Sequence, residues 1–243
     1  MIRTALTETF ALSHPLVLAP MGGVSGGRLA AAVSNAGGLG LVGGGYGDRD
    51  WLARELALVQ AQATRAWGVG FITWSIGPGV LELALAHAPR AVMLSFGDPR
   101  PHADAIRAAG CALVCQVQSL AEAELAREAG ADFIVAQGTE AGGHGGTRST
   151  LALVPAIVDL VAPTPVLGAG GIADGRGVAA ALMLGAQGAL IGTRFCATPE
   201  ALGRDAAKRR LVAASGDETA RTRVFDIVRG YAWPAHCFPV WRR

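Results

Sequence analysis

A closed barrel of eight parallel strands, each followed by a helix, is the fold class this sequence predicts, on three observations. Short apolar runs alternate with Ala/Leu-rich amphipathic segments from Pro15 to about Ser215, the pattern of a parallel sheet under covering helices. Eight such runs begin near Leu16, Leu39, Trp67, Arg90, Ala112, Asp132, Pro165 and Gly188. Their starts lie 23, 28, 23, 22, 20, 33 and 23 residues apart. So regular a β/α unit, with seven crossovers joining eight strands, favours a single-domain α/β (β/α)8 barrel over an open doubly wound sheet. The barrel is read as residues 1–216, with the ligand site at its C-terminal mouth, and residues 217–243 as a tail packing on it.

The helices fit their places between these strands. Gly27 to Asn35 ends in Ala36-Gly37-Gly38, a glycine stop. Asp50 to Gln62 and Ser119 to Glu128 begin on residues that cap helices well, and Ser119-Leu120-Ala121-Glu122 fits a capping box. Asp174 to Leu184 and Pro199 to Ala214 supply the seventh and eighth helices. The tail holds Trp233-Pro234 and Phe238-Pro239, reads as irregular, and is expected across the barrel exterior or mouth.

Composition narrows the partners. Glycine supplies 34 of the 243 residues, about twice its usual share of about 7%, and the excess lies in turns and strand ends rather than in a repeat. The net charge is +2, and apart from Lys208-Arg209-Arg210 and Arg242-Arg243 the basic residues are scattered. No nucleic-acid stripe results. Cys111, Cys115, Cys196 and Cys237 have neither disulfide-framework nor zinc spacing and are expected as reduced, mostly buried thiols. Without a leader pattern or an apolar run of about 18 residues, a cytoplasmic protein with no membrane or nucleic-acid partner is expected; a homodimer stays open.

The anomalous interval, 33 residues between strands six and seven, contains Gln137-Gly138-Thr139-Glu140-Ala141-Gly142-Gly143-His144-Gly145-Gly146. Ordering four glycines around one imidazole is costly unless backbone must pass close to something. The plain alternative is a flexible loop with a solvated histidine. Residues just after a barrel strand lie at the C-terminal mouth, where active sites are built, so His144 is expected to face the mouth. His14, His87, His102 and His236 fall elsewhere, and no metal site is expected. With an intrinsic pKa near 6.5, His144 suits a general base acting on a carbon-bound proton. Glu140 either orients it or caps the loop.

Two further strand ends suggest an anion. Strand seven ends in Gly168-Ala169-Gly170-Gly171 and strand eight in Ile191-Gly192-Thr193-Arg194. The loops after these two strands commonly bind phosphate in barrels, through backbone amides and a helix N-terminus, so Gly170, Gly171, Gly192 and Thr193 form the candidate cradle. Turn glycines are the plain alternative. Ala19-Pro20-Met21-Gly22-Gly23 ends strand one on the opposite side. Together these ends describe a flat, backbone-lined slot with a phosphate anchor, the shape of an isoalloxazine ring and its ribityl phosphate. Neither a Walker motif nor a GxGxxG fingerprint is present, and no glycine-flanked nucleophile supports hydrolysis.

Ala19-Pro20-Met21-Gly22-Gly23, Val33-Ser34-Asn35-Ala36-Gly37-Gly38-Leu39-Gly40, the Gln137 to Gly146 stretch, Ala169-Gly170-Gly171-Ile172 and Gly192-Thr193-Arg194-Phe195 together resemble the nitronate monooxygenases, formerly 2-nitropropane dioxygenases. The likeness runs from about Pro15 to Pro234. It implies a TIM barrel that binds FMN non-covalently and oxidises alkyl nitronates, and in some members nitroalkanes, with O2 to carbonyl compounds and nitrite. By position, His144 matches the family's catalytic base; Gln137 and Gly142 match flavin contacts; Gly171 and Leu190-Ile191-Gly192-Thr193 match phosphate-binding positions. Ala19, Pro20, Met21, Gly22, Gly70 and Gly170 complete the expected lining. Two departures bear on the substrate. Gly70 stands where members usually carry an asparagine that contacts the flavin, and the C-terminal segment is shorter than in many members, so a more open or differently lined pocket is expected. The FMN-dependent enoyl-acyl-carrier-protein reductases share the barrel and the Glu-Ala-Gly-Gly-His motif. They are one alternative; a non-catalytic flavin- or phosphate-binding barrel is the other.

Overall fold

Eight parallel strands close on themselves in the computed structural model, which describes residues 2–222, 224–231 and 233. They are β1 (Leu16–Leu18), β2 (Gly40–Gly43), β3 (Trp67–Ile72), β4 (Ala91–Ser95), β5 (Ala112–Val117), β6 (Phe133–Gln137), β7 (Val166–Ala169) and β8 (Ala189–Ile191). Each begins within one residue of the start expected from the apolar runs. Every sequential pair from β2 to β8 is hydrogen-bonded in parallel, and β8 returns to β1 with Leu16 opposite Ala189. The seam between β1 and β2 is closed by a bridge from Val17 to Leu39 and by the Leu18 amide donating to the Leu39 carbonyl. The fold is a TIM barrel.

Alternation along the strands makes two cores. Val17, Leu41, Met93, Val114, Phe133, Val135, Leu167 and Leu190 point inward and fill the barrel. Leu18, Val42, Val69, Val92, Leu113, Cys115 and Ile134 point outward against the helices, as the two-residue period of a strand requires. A helix the sequence reading passes over, α1 (Ala5–Phe10), sends Leu6 and Phe10 into the inner cluster. The Phe10 ring lies 5.6 Å from that of Phe133, the first residue of β6, so α1 stoppers the N-terminal end.

The crossover helices are α2 (Gly27–Asn35), α3 (Arg49–Gln62), α4 (Val80–Ala86), α5 (Arg100–Ala108), α6 (Leu120–Glu128), α7 (Thr150–Val161) and α8 (Gly175–Met183), with α9 (Asp205–Ala213) after β8. Three expectations need correction. The third helix is capped by Asp48, whose carboxylate accepts from the Trp51 amide, and not by Asp50. In α6 the Ser119 hydroxyl caps the Glu122 amide as expected, but Glu122 Oε2 accepts from the Gln118 amide at 2.6 Å, one residue further back than a capping box places it. The eighth helix starts at Asp205 rather than Pro199, because Pro199 and Glu200 form a turn and Gly203, at φ +123°, follows it. His87 caps the end of α4 and His102 lies in α5.

The tail is less irregular than expected, since α10 (Val224–Arg229) forms within it. Its remaining expectations, including those for His236, Cys237 and Phe238-Pro239, lie outside the described residues. No helix is long and apolar enough to cross a membrane among the residues described.

Candidate active site

His144 sits in the loop after β6, at the C-terminal mouth. The loop is tied down at three points. Gln137, the last residue of β6, is buried; its Oε1 accepts from Gln116 Nε2 and Gln118 Nε2, both at 2.8 Å, and its Nε2 donates to the His144 carbonyl at 3.1 Å. Those two donors orient the amide and so fix the backbone of His144. Glu140 Oε2 accepts from the amide and hydroxyl of Thr150, both at 2.8 Å, at the N-terminus of α7, whose own cap residue Ser149 makes no side-chain cap bond. The two readings left open for Glu140 are thereby decided in favour of capping. Burial pushes its carboxyl up, and the bonds from Thr150 outweigh that, so the net displacement is below the usual range.

A partner for the imidazole comes from the tail. His144 Nε2 lies 2.9 Å from Asp226 Oδ1, and the two side chains are 20% and 13% exposed. The Trp233 ring stacks on the imidazole with centroids 3.4 Å apart and planes 11° apart, while Phe96 meets both rings edge-on. Tyr46 and Trp74 complete an aromatic wall around Trp233, and the Trp233 indole donates to Tyr46 Oη at 3.3 Å. Burial pushes the His144 pKa below its ordinary 6.5; the Asp226 hydrogen bond and charge oppose this, and Arg221 and Arg229 add to it. The Arg221 guanidinium donates to the carbonyls of Thr139 and Ala141, tying the tail to the same loop. Phe96, just past β4, holds φ +62°, a conformation that costs about 1–2 kcal/mol for a residue with a side chain.

The loops after β1, β6, β7 and β8 converge beside this cluster. A Cβ on Gly192 would lie 3.3 Å from Met21 Sδ and 3.4 Å from Ala19 Cβ; one on Gly142 would lie 2.8 Å from Thr193 Oγ1. Gly170 and Gly171 hold φ +105° and +71°, and a side chain at Gly170 would run into Thr150, Ala141 and Gly138. At Gly170 conformation and close approach together require glycine. The N-terminus of α8, part of the expected anion site, is taken: Asp174 Oδ1 accepts from the Arg176 and Gly177 amides at 3.0 and 3.2 Å. An anion here would therefore meet the loop backbone around Gly171 and Thr193, both exposed, rather than the helix end.

The remaining expected residues are placed as follows. Leu190 and Ile191 bury their side chains in the barrel wall, so only their backbone faces the loops. The end of strand one does not lie on the opposite side: β1 pairs with β8, so Ala19 and Met21 meet Gly192, while Gly22 approaches Gly45 after β2. A Cβ at Gly70 would lie 2.3 Å from Pro20 Cγ, so the Pro20 ring fills the space that a side chain there would need. Thr73, at the same end of β3, is buried and its hydroxyl has no partner among the described residues. Gln116, Phe96, Trp74, Tyr46, Arg221 and Asp226 went unread. The inward parity of β5 places Gln116 at the mouth, whereas nothing in the local sequence singles out Asp226. Burial pushes the Cys115 thiol up to about 12, so it stays protonated at neutral pH. Among the described residues no group of three or more His, Cys, Asp or Glu side chains could hold a metal ion.

A family model described as nitronate monooxygenase matches residues 3–74 and 77–232. The chain belongs to the nitronate monooxygenase family. It is 40% identical to nitronate monooxygenase npaC of Metarhizium robertsii, over 90% of this chain and 70% of that protein. It is 36% identical to (3aS,4S,5R,7aS)-5-hydroxy-7a-methyl-1-oxo-octahydro-1H-indene-4-carboxyl-CoA dehydrogenase of Mycobacterium tuberculosis, over 93% of this chain but 64% of that protein. This chain thus spans less than two thirds of that relative's length. Among solved structures, FabK from Thermotoga maritima superposes with a TM-score of 0.86 at 34% identity, covering 92% of this chain and 72% of that one. The nitroalkane oxidase from Streptomyces ansochromogenes gives 0.81 at 32%, covering 91% and 76%.

Proposed function

We propose that this member of the nitronate monooxygenase family is an FMN-dependent oxidoreductase that oxidises alkyl nitronates, and nitroalkanes after deprotonation, with O2 to carbonyl compounds and nitrite. The observation that carries the reading is the half-buried, backbone-anchored His144 at the mouth, beside the closely packed glycine loops after β6, β7 and β8.

The residues present fit FMN. Gly170, Gly171, Gly192 and Thr193 would hold its phosphate, Gly142 would lie alongside, and Ala19, Pro20, Met21 and Gln137 would line the ring. The Thr73 hydroxyl, unpartnered among the described residues, supplies a polar group at the mouth. FMN, when bound, supplies the electron acceptor between substrate and O2. His144 acts on the proton: its lowered pKa keeps the ring neutral near pH 7, the state that accepts a proton from the carbon next to a nitro group. Trp233 and Phe96 shield that ring from water, which strengthens every charge interaction at the imidazole. Gln137 holds the loop so that the imidazole does not search for its position.

The test is the visible spectrum of the FMN-loaded protein on adding an alkyl nitronate without oxygen. Bleaching that air reverses is the expected result, and a flavin that stays oxidised would overturn the reading. One observation favours a second reading, an acyl-thioester oxidoreductase. Pro20 occupies the space at Gly70, so the lining differs where the resemblance leads one to expect an asparagine. A relative named a carboxyl-CoA dehydrogenase accords with it. Under that reading NAD(P)H, not nitronate, bleaches the flavin.

A further inference from the structure

His144 needs more than a lowered pKa to work as a base: one of its two nitrogens must be committed as the acceptor. Resting on the base role proposed above, we infer that Asp226 is a positioning residue for His144, its carboxylate holding Nε2–H so that the neutral ring keeps its basic lone pair at Nδ1.

The chemistry of the pair fixes the direction. An ionised carboxylate only accepts, so across 2.9 Å the Nε2 atom must donate. A neutral imidazole carries one N–H, and placing it on Nε2 leaves Nδ1 as the acceptor. The placement of Asp226 is itself supported. Arg221, five residues earlier, donates to the Thr139 and Ala141 carbonyls of the very loop that carries His144, so tail and loop move together. Asp226 is the least exposed residue of α10, in which Val224, Phe225, Ile227 and Val228 are each more than half exposed. A helix that buries its one acidic side chain and leaves its apolar ones in solvent is docked through that side chain, not through apolar packing.

Trp233 and Phe96 then set the plane of the ring. Stacking at 3.4 Å covers one face, and the Phe96 edge contact restricts rotation about the remaining axis. Among the described residues the charged groups acting on the imidazole are Asp226, Arg221 and Arg229, all from the tail; Phe96 and Trp233, which pack against it, carry no charge. Asp226 alone among these favours protonation, so it both selects the tautomer and sustains the basicity that burial and the two arginines reduce. Glu140, the carboxylate four residues from His144, is occupied by Thr150.

The experiment is nitrogen NMR of the full chain with labelled histidine, the His144 signals being assigned by their loss in His144→Asn. The wild-type ring is expected as the Nε2–H tautomer. Asp226→Asn, which keeps shape and an acceptor oxygen but removes the charge, is expected to move the His144 titration to lower pH; Asp226→Ala is expected to mix the two tautomers. With a neutral nitroalkane, kcat in Asp226→Ala should fall about a hundredfold while preformed nitronate is still oxidised, because only the first substrate needs a proton removed. A His144 whose tautomer and titration are the same in all three chains overturns the assignment. A wild-type chain that turns over neither substrate yet shows the Asp226-dependent titration upholds the assignment and overturns the proposed reaction.

Discussion

At the scale of the residue, His144 is governed by the balance between burial, reinforced by Arg221 and Arg229, and the Asp226 carboxylate. Because the net displacement of its pKa is downward, the ring stays neutral at pH values where an ordinary histidine is half protonated. The sign of two effects follows. Turnover of a neutral nitroalkane should fall only below the ordinary histidine range, since the base must be unprotonated to act. The contribution of this site to folding stability is complete above about pH 6.5 and is lost as pH falls through the folded pKa, because acid favours the unfolded chain, in which the ring charges more readily. A pH profile of kcat/KM whose acid limb sits above the ordinary histidine value would contradict the direction. His144→Asn should cut nitroalkane turnover by about 10²–10⁴-fold, the range a positioned base contributes, and leave preformed nitronate within a few-fold. Equal loss on both substrates would remove His144 from the role of base. The place of His144 at the mouth was legible in the sequence, because one imidazole among four glycines in an overlong strand-to-strand interval is a local signal. Asp226 was not, since it lies 82 residues further on in a helix whose six residues carry no signature of the partner they reach.

At the scale of the element, the mouth depends on loops that replace ordinary helix caps. The first turn of α7 is capped by Glu140 from the preceding loop rather than by Ser149. Glu140→Ala should therefore cost about 1 kcal/mol, the worth of an N-cap, read as a shift of the urea midpoint at unchanged slope. No shift would mean that Thr150 finds another acceptor. The β8 loop is a second case. Gly192 lies against the Met21 thioether and the Ala19 methyl, so the branches of a valine there crowd the Met21 side chain and the space beside the β8 loop. Gly192→Val is expected to weaken FMN retention at least tenfold, roughly the loss of one charge-assisted hydrogen bond to phosphate, measured by equilibrium dialysis. Retention equal to wild type would move the phosphate elsewhere. The strands themselves were readable because a parallel strand buried on both faces is a nearly unbroken apolar run, and eight of them recur at a steady interval. Helix starts were less so: Asp48 and Asp50 are equally good caps on paper, and only the fold decides which faces the Trp51 amide.

At the scale of the whole molecule, the two ends of the barrel are closed by different forces. The N-terminal end is stoppered by Leu6, Phe10 and Leu12, all nearly fully buried and part of the inner core. The mouth is covered by a tail held through Arg221, Asp226 and the Trp233 stack, with the apolar side chains of α10 left in solvent. Apolar burial resists local opening far more than a few polar and aromatic contacts do, so the two closures should sit at opposite ends of the stability range. Truncating the stopper should act on the global equilibrium: Phe10→Ala is expected to cost about 3–5 kcal/mol, the range for emptying a buried aromatic site. Freeing the tail should not: Arg221→Ala is expected to leave the unfolding midpoint within about 0.5 kcal/mol, as a surface change does, while raising the rate of proteolytic cleavage between Arg221 and Trp233. Hydrogen exchange reports both at once. Amides of β1, β6 and β8 should exchange only through global unfolding, and those of α10 through local opening. If Arg221→Ala instead destabilised the entire barrel, the tail would have to be an integral wall of the core, and the easy opening by which a substrate reaches His144 would be ruled out.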